Sequence, residues 1–166
     1  MNNLIQLTQE TLRQTARALH PSILEHYGLV TALRSFTRDL SMLTDRSRVV
    51  FEIDVDQDFP RFNQMVETNA YRIVQEATTN AFKHAQAQRI SIKLSLQGNN
   101  ASIVVEDNGR GIDYTAVSDS HGIGLAAIRE RAELIGATID ISTRVAQGTS
   151  LTLSIPLGDA NGSSVS

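Results

Sequence analysis

Cysteine and tryptophan are absent from this 166-residue chain, and proline occurs only three times. Without thiols there is no disulfide and no thiolate metal site, which fits a reducing compartment. A surplus of one charge is missing too. Fifteen Lys and Arg against 18 Asp and Glu leave a formal charge of -3, which gives no electrostatic basis for a nucleic-acid or anionic-membrane partner. No apolar run approaches the roughly 20 residues that span a bilayer. Met1-Asn2-Asn3 leads directly into an amphipathic pattern rather than a secretory leader. Nucleophile signatures such as G-x-S-x-G are lacking, and His20, His26, His84 and His121 have no metal-ligand spacing.

What is present reads as one ordinary domain with a short appendage. Leu4, Leu7, Leu12, Ala16, Leu19 and Ile23 recur near helical spacing, interrupted around His20-Pro21-Ser22. Gly28 separates this stretch from a second amphipathic helix over Leu29–Leu43, with Leu33, Phe36, Leu40 and Leu43 on one side. Residues 49–55 alternate as a half-buried strand, and a long helix is expected over Gln64–Ala85 with Met65, Ala70, Ile73, Val74, Ala77 and Ala81 inward. Strands over Arg89–Leu96 and Ala101–Val105 flank the turn Gln97-Gly98-Asn99-Asn100. After a polar, glycine-punctuated stretch, Gly122 is expected to open a helix that ends before Gly136. Strands over Ala137–Thr143 and Thr149–Ile155 close the pattern, and Gly158–Ser166 reads as a disordered tail. This order predicts an α+β fold: a two-layer α/β sandwich, with a mixed sheet of about five strands packed on three helices.

Four short motifs carry the chemistry. Glu76, Asn80 and Lys83-His84 sit at helical spacings that align Glu76, Asn80 and either Lys83 or His84 along one stripe. A carboxylate and an amide oxygen beside a cation suit a magnesium phosphate group; a solvated polar face on a core helix is the plainer reading. Asp107 follows the apolar Ile103-Val104-Val105 and precedes Asn108-Gly109-Arg110-Gly111. A carboxylate at a strand end beside glycines can accept from an exocyclic amine, although Asp-Asn-Gly is also a common turn. Gly122-Ile123-Gly124-Leu125-Ala126-Ala127 has the letters of a dinucleotide fingerprint but no strand before it, so it reads better as a helix start suited to phosphate. Arg129 and Arg131 read as solvated helix charges, and His121 as an ordinary loop histidine. Gly148-Thr149 opens the last strand.

In this order the motifs resemble the N, G1, G2 and G3 boxes of the GHKL (Bergerat-fold) ATPases, most nearly the catalytic domain of bacterial sensor histidine kinases. Val74–Ala85 is similar to the N box, Glu106–Ile112 to G1, His121–Leu125 to G2, and Gly148–Leu151 with Ile155-Pro156 to the G3 strand. Leu19-His20-Pro21, Leu24, Gly28-Leu29 and Ala32-Leu33 resemble the linker of the nitrate-sensor and DesK-type subfamily.

The resemblance implies ATP and Mg2+ as ligands. It implies that Asn80 binds the metal, that Glu76 assists through water, and that Lys83 and His84 approach the phosphates. Asp107 would accept the adenine amino group together with a water shared by Thr149. Gly109 and Gly111 would admit the base, Ile112 would pack on it, and Gly122 and Gly124, followed by Leu125, would hinge a short lid over Asp113–His121. Residues 1–27 would be the end of a dimerisation hairpin and linker, 28–157 the catalytic domain and 158–166 a tail. His20, followed by Pro21, is not expected to be the phosphoacceptor. The chain therefore reads as an excised catalytic domain, mostly monomeric, binding ATP with little or no turnover, and cytoplasmic, as the cytoplasmic part of a membrane-bound sensor. Its partners would be an acceptor histidine on the dimerisation segment of a homodimeric kinase and a response regulator of the NarL type. A serine kinase or ATPase on the same scaffold, or a non-catalytic nucleotide sensor, are the competing readings.

Overall fold

The computed structural model describes residues 20–43, 49–111 and 119–160. The elements are α1 (His20–Leu43), β1 (Val50–Val55), α2 (Gln64–His84), β2 (Arg89–Gln97), β3 (Asn100–Asp107), α3 (Asp119–Leu134), β4 (Thr138–Arg144), β5 (Gly148–Pro156) and a one-turn α4 (Leu157–Ala160). Three long helices cover one face of a five-stranded sheet ordered β1-β2-β3-β5-β4. The sheet is mixed, as expected: β1 and β2 are parallel, and the remaining pairs are antiparallel.

Parallel neighbours cannot be joined by a tight turn, so the chain needs a crossover. Here α2 is that crossover. Asn63 caps it by accepting from the Val66 N–H at 2.9 Å, and its C-terminus lies beside the start of β2. Antiparallel β2 and β3 need only the turn at Gly98-Asn99, where Gly98 has φ +61 and Gln97 pairs with Asn100.

Strand alternation separates the two faces of the sheet. Ile90, Ile92, Leu94, Ala101, Ile103, Val105, Leu151, Leu153 and Ile155 are buried towards the helices. Glu52, Lys93, Glu106, Asp140 and Ser142 fall on the other parity and are exposed. α2 lies between α1 and α3 and packs on both. Phe36 of α1 meets Tyr71 of α2 edge-on at 6.0 Å, and Ile128 and Ala132 bury the inner side of α3.

Four expectations require correction. Met65 is 56% exposed, because the buried stripe of α2 runs through Val66, Ala70, Tyr71, Ile73, Val74, Thr78 and Ala81. α3 begins at Asp119, so its hydrogen bonding already includes Gly122 and Gly124. A glycine inside a helix costs about 1 kcal/mol, which the burial of Ile128 and Ala132 outweighs. The tail starts with helix, since Leu157 donates its N–H to the Asn99 carbonyl at 3.0 Å and fixes α4 against the β2–β3 turn. Arg131, expected to be solvated, donates to Asn69 Oδ1 across the α2–α3 seam at 3.4 Å. The expected helical pattern before residue 20, and Leu43's side chain, lie outside the described residues.

α1 is two helices joined at Gly28, whose φ of +86 and ψ of 179 are not helical. That is where the sequence placed the break.

Thr78 is fully buried, and its hydroxyl has no hydrogen-bond partner among the described residues. An unsatisfied buried hydroxyl is a cost that an isosteric apolar side chain removes. Thr78→Val is expected to raise unfolding stability by about 1 kcal/mol, read from the urea midpoint at unchanged slope; a lower midpoint would mean the hydroxyl has a partner.

Candidate functional site

The motif residues converge at one end of the helix-covered face. Glu76 and Asn80 lie one turn apart on α2, both half-buried, and face α3. Their close neighbour there is Gly124. A side chain at 124 would place its Cβ 3.0 Å from Glu76 Oε1 and 3.4 Å from Asn80 Nδ2, so the glycine leaves the carboxylate and the amide room. Lys83, half-buried, and His84, exposed, follow on the last turn of the same helix.

Asp107 ends β3 on the helix-facing parity. It stands in a row across the sheet with Ile90, Thr149 and Thr143. The Gly109 N–H donates to Asp107 Oδ1 at 2.9 Å, and the Thr149 N–H also hydrogen-bonds the carboxylate. Burial pushes the Asp107 carboxyl above the ordinary aspartate range, and these two amide bonds only partly offset it. A half-buried carboxylate held by two amides has lone pairs left for a further donor. The Thr149 hydroxyl lies 3.2 Å from that of Thr143.

Close backbone approaches assemble this end of the fold. Arg110 donates its N–H to the Ala85 carbonyl at the end of α2, at 2.7 Å. Gly109 lies so close to that carbonyl that any Cβ would collide with it. On the other side, Ala146 in the β4–β5 turn donates to the Arg110 carbonyl at 2.8 Å. Gly111, with φ +73, lies against the Arg144 carbonyl, and Gly148, with φ +98, against the Asp107 carbonyl. The glycines of the second and fourth motifs are thus required where loop, helix end and turn meet.

The structure thus forms two clusters: Glu76, Asn80 and Gly124 between α2 and α3, and Asp107, Gly109, Gly111 and Thr149 where the loop after β3 meets the end of α2, which carries Lys83, and the β4–β5 turn. Leu125 follows Gly124 on α3 and is half-buried. Gly122 lies in the first turn of α3. Ile112 and the lid stretch up to Ser118 lie outside the described residues. Among the described residues no group of three or more His, Cys, Asp or Glu could hold a metal. The pair Glu76 and Asn80 is instead an oxygen donor set of the kind magnesium takes when it retains most of its waters.

Two participants escaped the sequence reading. Thr143 pairs with Thr149, which the β4–β5 register shows only once the turn is placed. Glu67 lies in the buried stripe of α2 at 2% exposure. A carboxylate at an apolar position of a helix is itself the signal, because it requires a cation or amide partner. Arg61 provides the cation.

Comparison with known proteins agrees with this geometry. Residues 65–159 match the family of histidine kinase-, DNA gyrase B- and HSP90-like ATPases, more than half of the chain, and the chain belongs to that family. Within it, the likeness is to sensor histidine kinases. The oxygen sensor histidine kinase NreB of Staphylococcus carnosus is 33% identical over 152 residues, covering 90% of this chain and 42% of NreB. The chain thus spans less than half the length of that relative. Among solved structures, the histidine kinase domain of the Erythrobacter litoralis EL346 blue-light activated histidine kinase superposes with a TM-score of 0.75 at 20% identity, covering 92% of this chain and 76% of that one. Full-length ShkA in complex with AMPPNP superposes at 0.63 and 19% identity, covering 75% of this chain and 29% of ShkA.

The raised Asp107 carboxyl has a consequence for stability. A carboxyl whose folded pKa exceeds its unfolded value favours the fold while protonated and loses that contribution as the pH rises through the folded value. Asp107→Asn, which keeps an acceptor oxygen but no charge, is therefore expected to raise the melting temperature of the ligand-free chain at pH 7. The difference should shrink in acid, as the native carboxyl takes up its proton. Calorimetric melting of both proteins from pH 4 to pH 8 checks the sign, and a lower Tm for Asp107→Asn at pH 7 would contradict it.

Proposed function

We propose that the chain is the ATP-binding catalytic part of a sensor histidine kinase, which presents the γ-phosphoryl group of magnesium ATP to a histidine on a dimerisation segment of the same kinase. The observation that carries the reading is the pair of polar clusters that α2 joins. Glu76 and Asn80 lie against Gly124 of α3, and the end of the same helix is tied by the Ala85 carbonyl to the loop that follows the half-buried, amide-held Asp107. Asp107 reads the adenine amino group, with Thr149 beside it. Asn80 and Glu76 would hold magnesium, Asn80 through its amide oxygen and Glu76 through water. Bound magnesium supplies charge neutralisation at the phosphates. Lys83 adds a point charge and His84 a donor, and Ile112 covers the base. Gly122 and Gly124 let the start of α3 adjust over the nucleotide.

The chemistry asked of these residues is modest, because phosphoryl transfer relies mainly on positioning and electrostatics. The acceptor nitrogen attacks the γ-phosphorus as the bond to the ADP oxygen breaks. No residue of this site needs to become a nucleophile. His20 is not proposed as that acceptor, so the chain by itself would bind ATP with little turnover. In the whole protein, proposed as a homodimer, the phosphoryl group would pass on to an aspartate of a response regulator, which we propose to be of the NarL type. No helix among the described residues is long and apolar enough to cross a membrane. The chain's own location is proposed as cytoplasmic, where ATP is.

Titration calorimetry with ATP, ADP and GTP, with and without magnesium, tests the reading. Adenine-selective binding that magnesium strengthens is expected, and absence of binding to a folded chain would overturn it. Asp107→Asn should weaken adenine nucleotides by about 1–3 kcal/mol, the cost of a mismatched polar contact; an equal effect on adenine and guanine nucleotides would remove it from base reading. Asn80→Ala should abolish the magnesium-dependent part of the affinity at unchanged melting temperature.

A further inference from the structure

Away from the cleft, three segments that are distant in sequence meet at one arginine. Arg61 precedes α2, and its guanidinium occupies the space beside Gly28 where any other residue would carry its Cβ. Arg61 Cζ lies 2.6 Å and Cδ 3.0 Å from that point. Gly28 is the joint at which the segment 20–27 meets the core helix Leu29–Leu43. On its other side Arg61 donates to Glu67 in the first turn of α2, with Nε 2.8 Å from Oε1 and Nη2 3.3 Å from Oε2. The Phe62 N–H adds a bond to Glu67 Oε1 at 3.1 Å. Arg61 and Glu67 thus form an ion pair.

The pair is asymmetric. The Glu67 side chain is 3% exposed, whereas that of Arg61 is 61% exposed. A buried carboxylate cannot release its cation without being left uncompensated, so Arg61 stays on Glu67. Its other edge is thereby held against Gly28. The segment 20–27 otherwise holds to the core through Leu24, buried, and Ile23, half-buried, while Ser22, Glu25, His26 and Tyr27 are exposed. A free joint at a glycine with φ +86 would sample several directions.

We propose that Arg61 is a latch: pinned by Glu67, it fixes the angle at which the upstream segment leaves the domain and ties that angle to α2, the helix that bears Glu76 and Asn80. The significance of the angle rests on the proposed function, in which the upstream segment leads to the acceptor histidine. A fixed angle then sets where the acceptor can stand relative to the phosphates, and a turn of that segment must displace Arg61 before it can proceed. Arg61 is a positioning residue in this scheme and touches neither nucleotide nor metal.

The absence of cysteine makes the test direct, because spin labels can be placed without background. Paired labels at Glu25→Cys and Asp140→Cys report the joint, and labels at Glu52→Cys and Asp140→Cys report the sheet alone; all three positions are exposed. Pulsed dipolar spectroscopy should give one narrow joint distance for the otherwise unaltered chain. In Arg61→Ala the joint distribution should broaden by about twofold or split, as a joint with several orientations does, while the sheet distance stays put. An unchanged joint distribution overturns the proposal, and so does equal broadening of both distances, which would make Arg61 a general support of the fold. Should Arg61→Ala not fold, Arg61→Lys keeps a cation on Glu67 but lacks the flat guanidinium against Gly28. Broadening there supports the latch, and a native-width distribution overturns it. None of these readings involves nucleotide, so a failed calorimetric titration and a failed latch are told apart.

Discussion

The structure depends on one backbone approach, that of Gly109 to the Ala85 carbonyl, closed by the hydrogen bond from the Arg110 amide. A helix C-terminus carries carbonyls without helical partners, and here one of them is satisfied by the loop that leaves β3. This contact joins the helix layer to the sheet at the point where Asp107 emerges. With a side chain at 109 the loop would stand off from the end of α2, and the link between that helix and the sheet at Asp107 would open. The fit of α3 depends on it in turn, since Gly124 meets Glu76 and Asn80 only while α2 is held in this position.

The electrostatics of the site follow from the same packing. Asp107 lies on the apolar parity of β3, two residues beyond Val105, so it inherits the burial of that face. Two amides hold it without neutralising it, which leaves a strong acceptor at the price of some stability. Glu67 is the opposite case. It is more deeply buried, but it is compensated by a full guanidinium and an amide, and so serves the fold. The two carboxylates differ in what remains for them to bind. Asp107 retains acceptor capacity towards the cleft, whereas Glu67 has its partners in the protein.

Much of this was legible in the sequence. The apolar alternation of β2, β3 and β5 and the turn at Gly98 announced the sheet, and the spacing of Glu76, Asn80 and either Lys83 or His84 placed them on one helix stripe. Gly28 was recognised as a break, and its dihedral angles are those of one. Legibility failed where tertiary contacts overrule local rules. Glycines at 122 and 124 look like helix openers, yet α3 runs through them because its far half is anchored in the core. Met65 is apolar but lies off the buried stripe, while Thr78 lies on it despite its hydroxyl. The Arg61–Glu67 pair was missed because a carboxylate on an apolar stripe was not asked for its partner, and Thr143 because a cross-strand neighbour appears only with the register.

The crossover role of α2 has a consequence for how such a chain can vary. The helix is fastened at its start by the Asn63 cap and the Arg61–Glu67 pair, and at its end by the contact between Ala85 and Gly109. Between these fastenings each residue advances the helix by about 100°. One inserted or deleted residue would swing Asn80 away from α3 while both ends stayed fixed, or would tear one end loose. Side chains of α2 outside the ion pair, the core stripe and the site can be exchanged, but its length cannot: the distance from cap to glycine is a ruler, counted in whole residues, that the loops elsewhere in the fold are not required to keep.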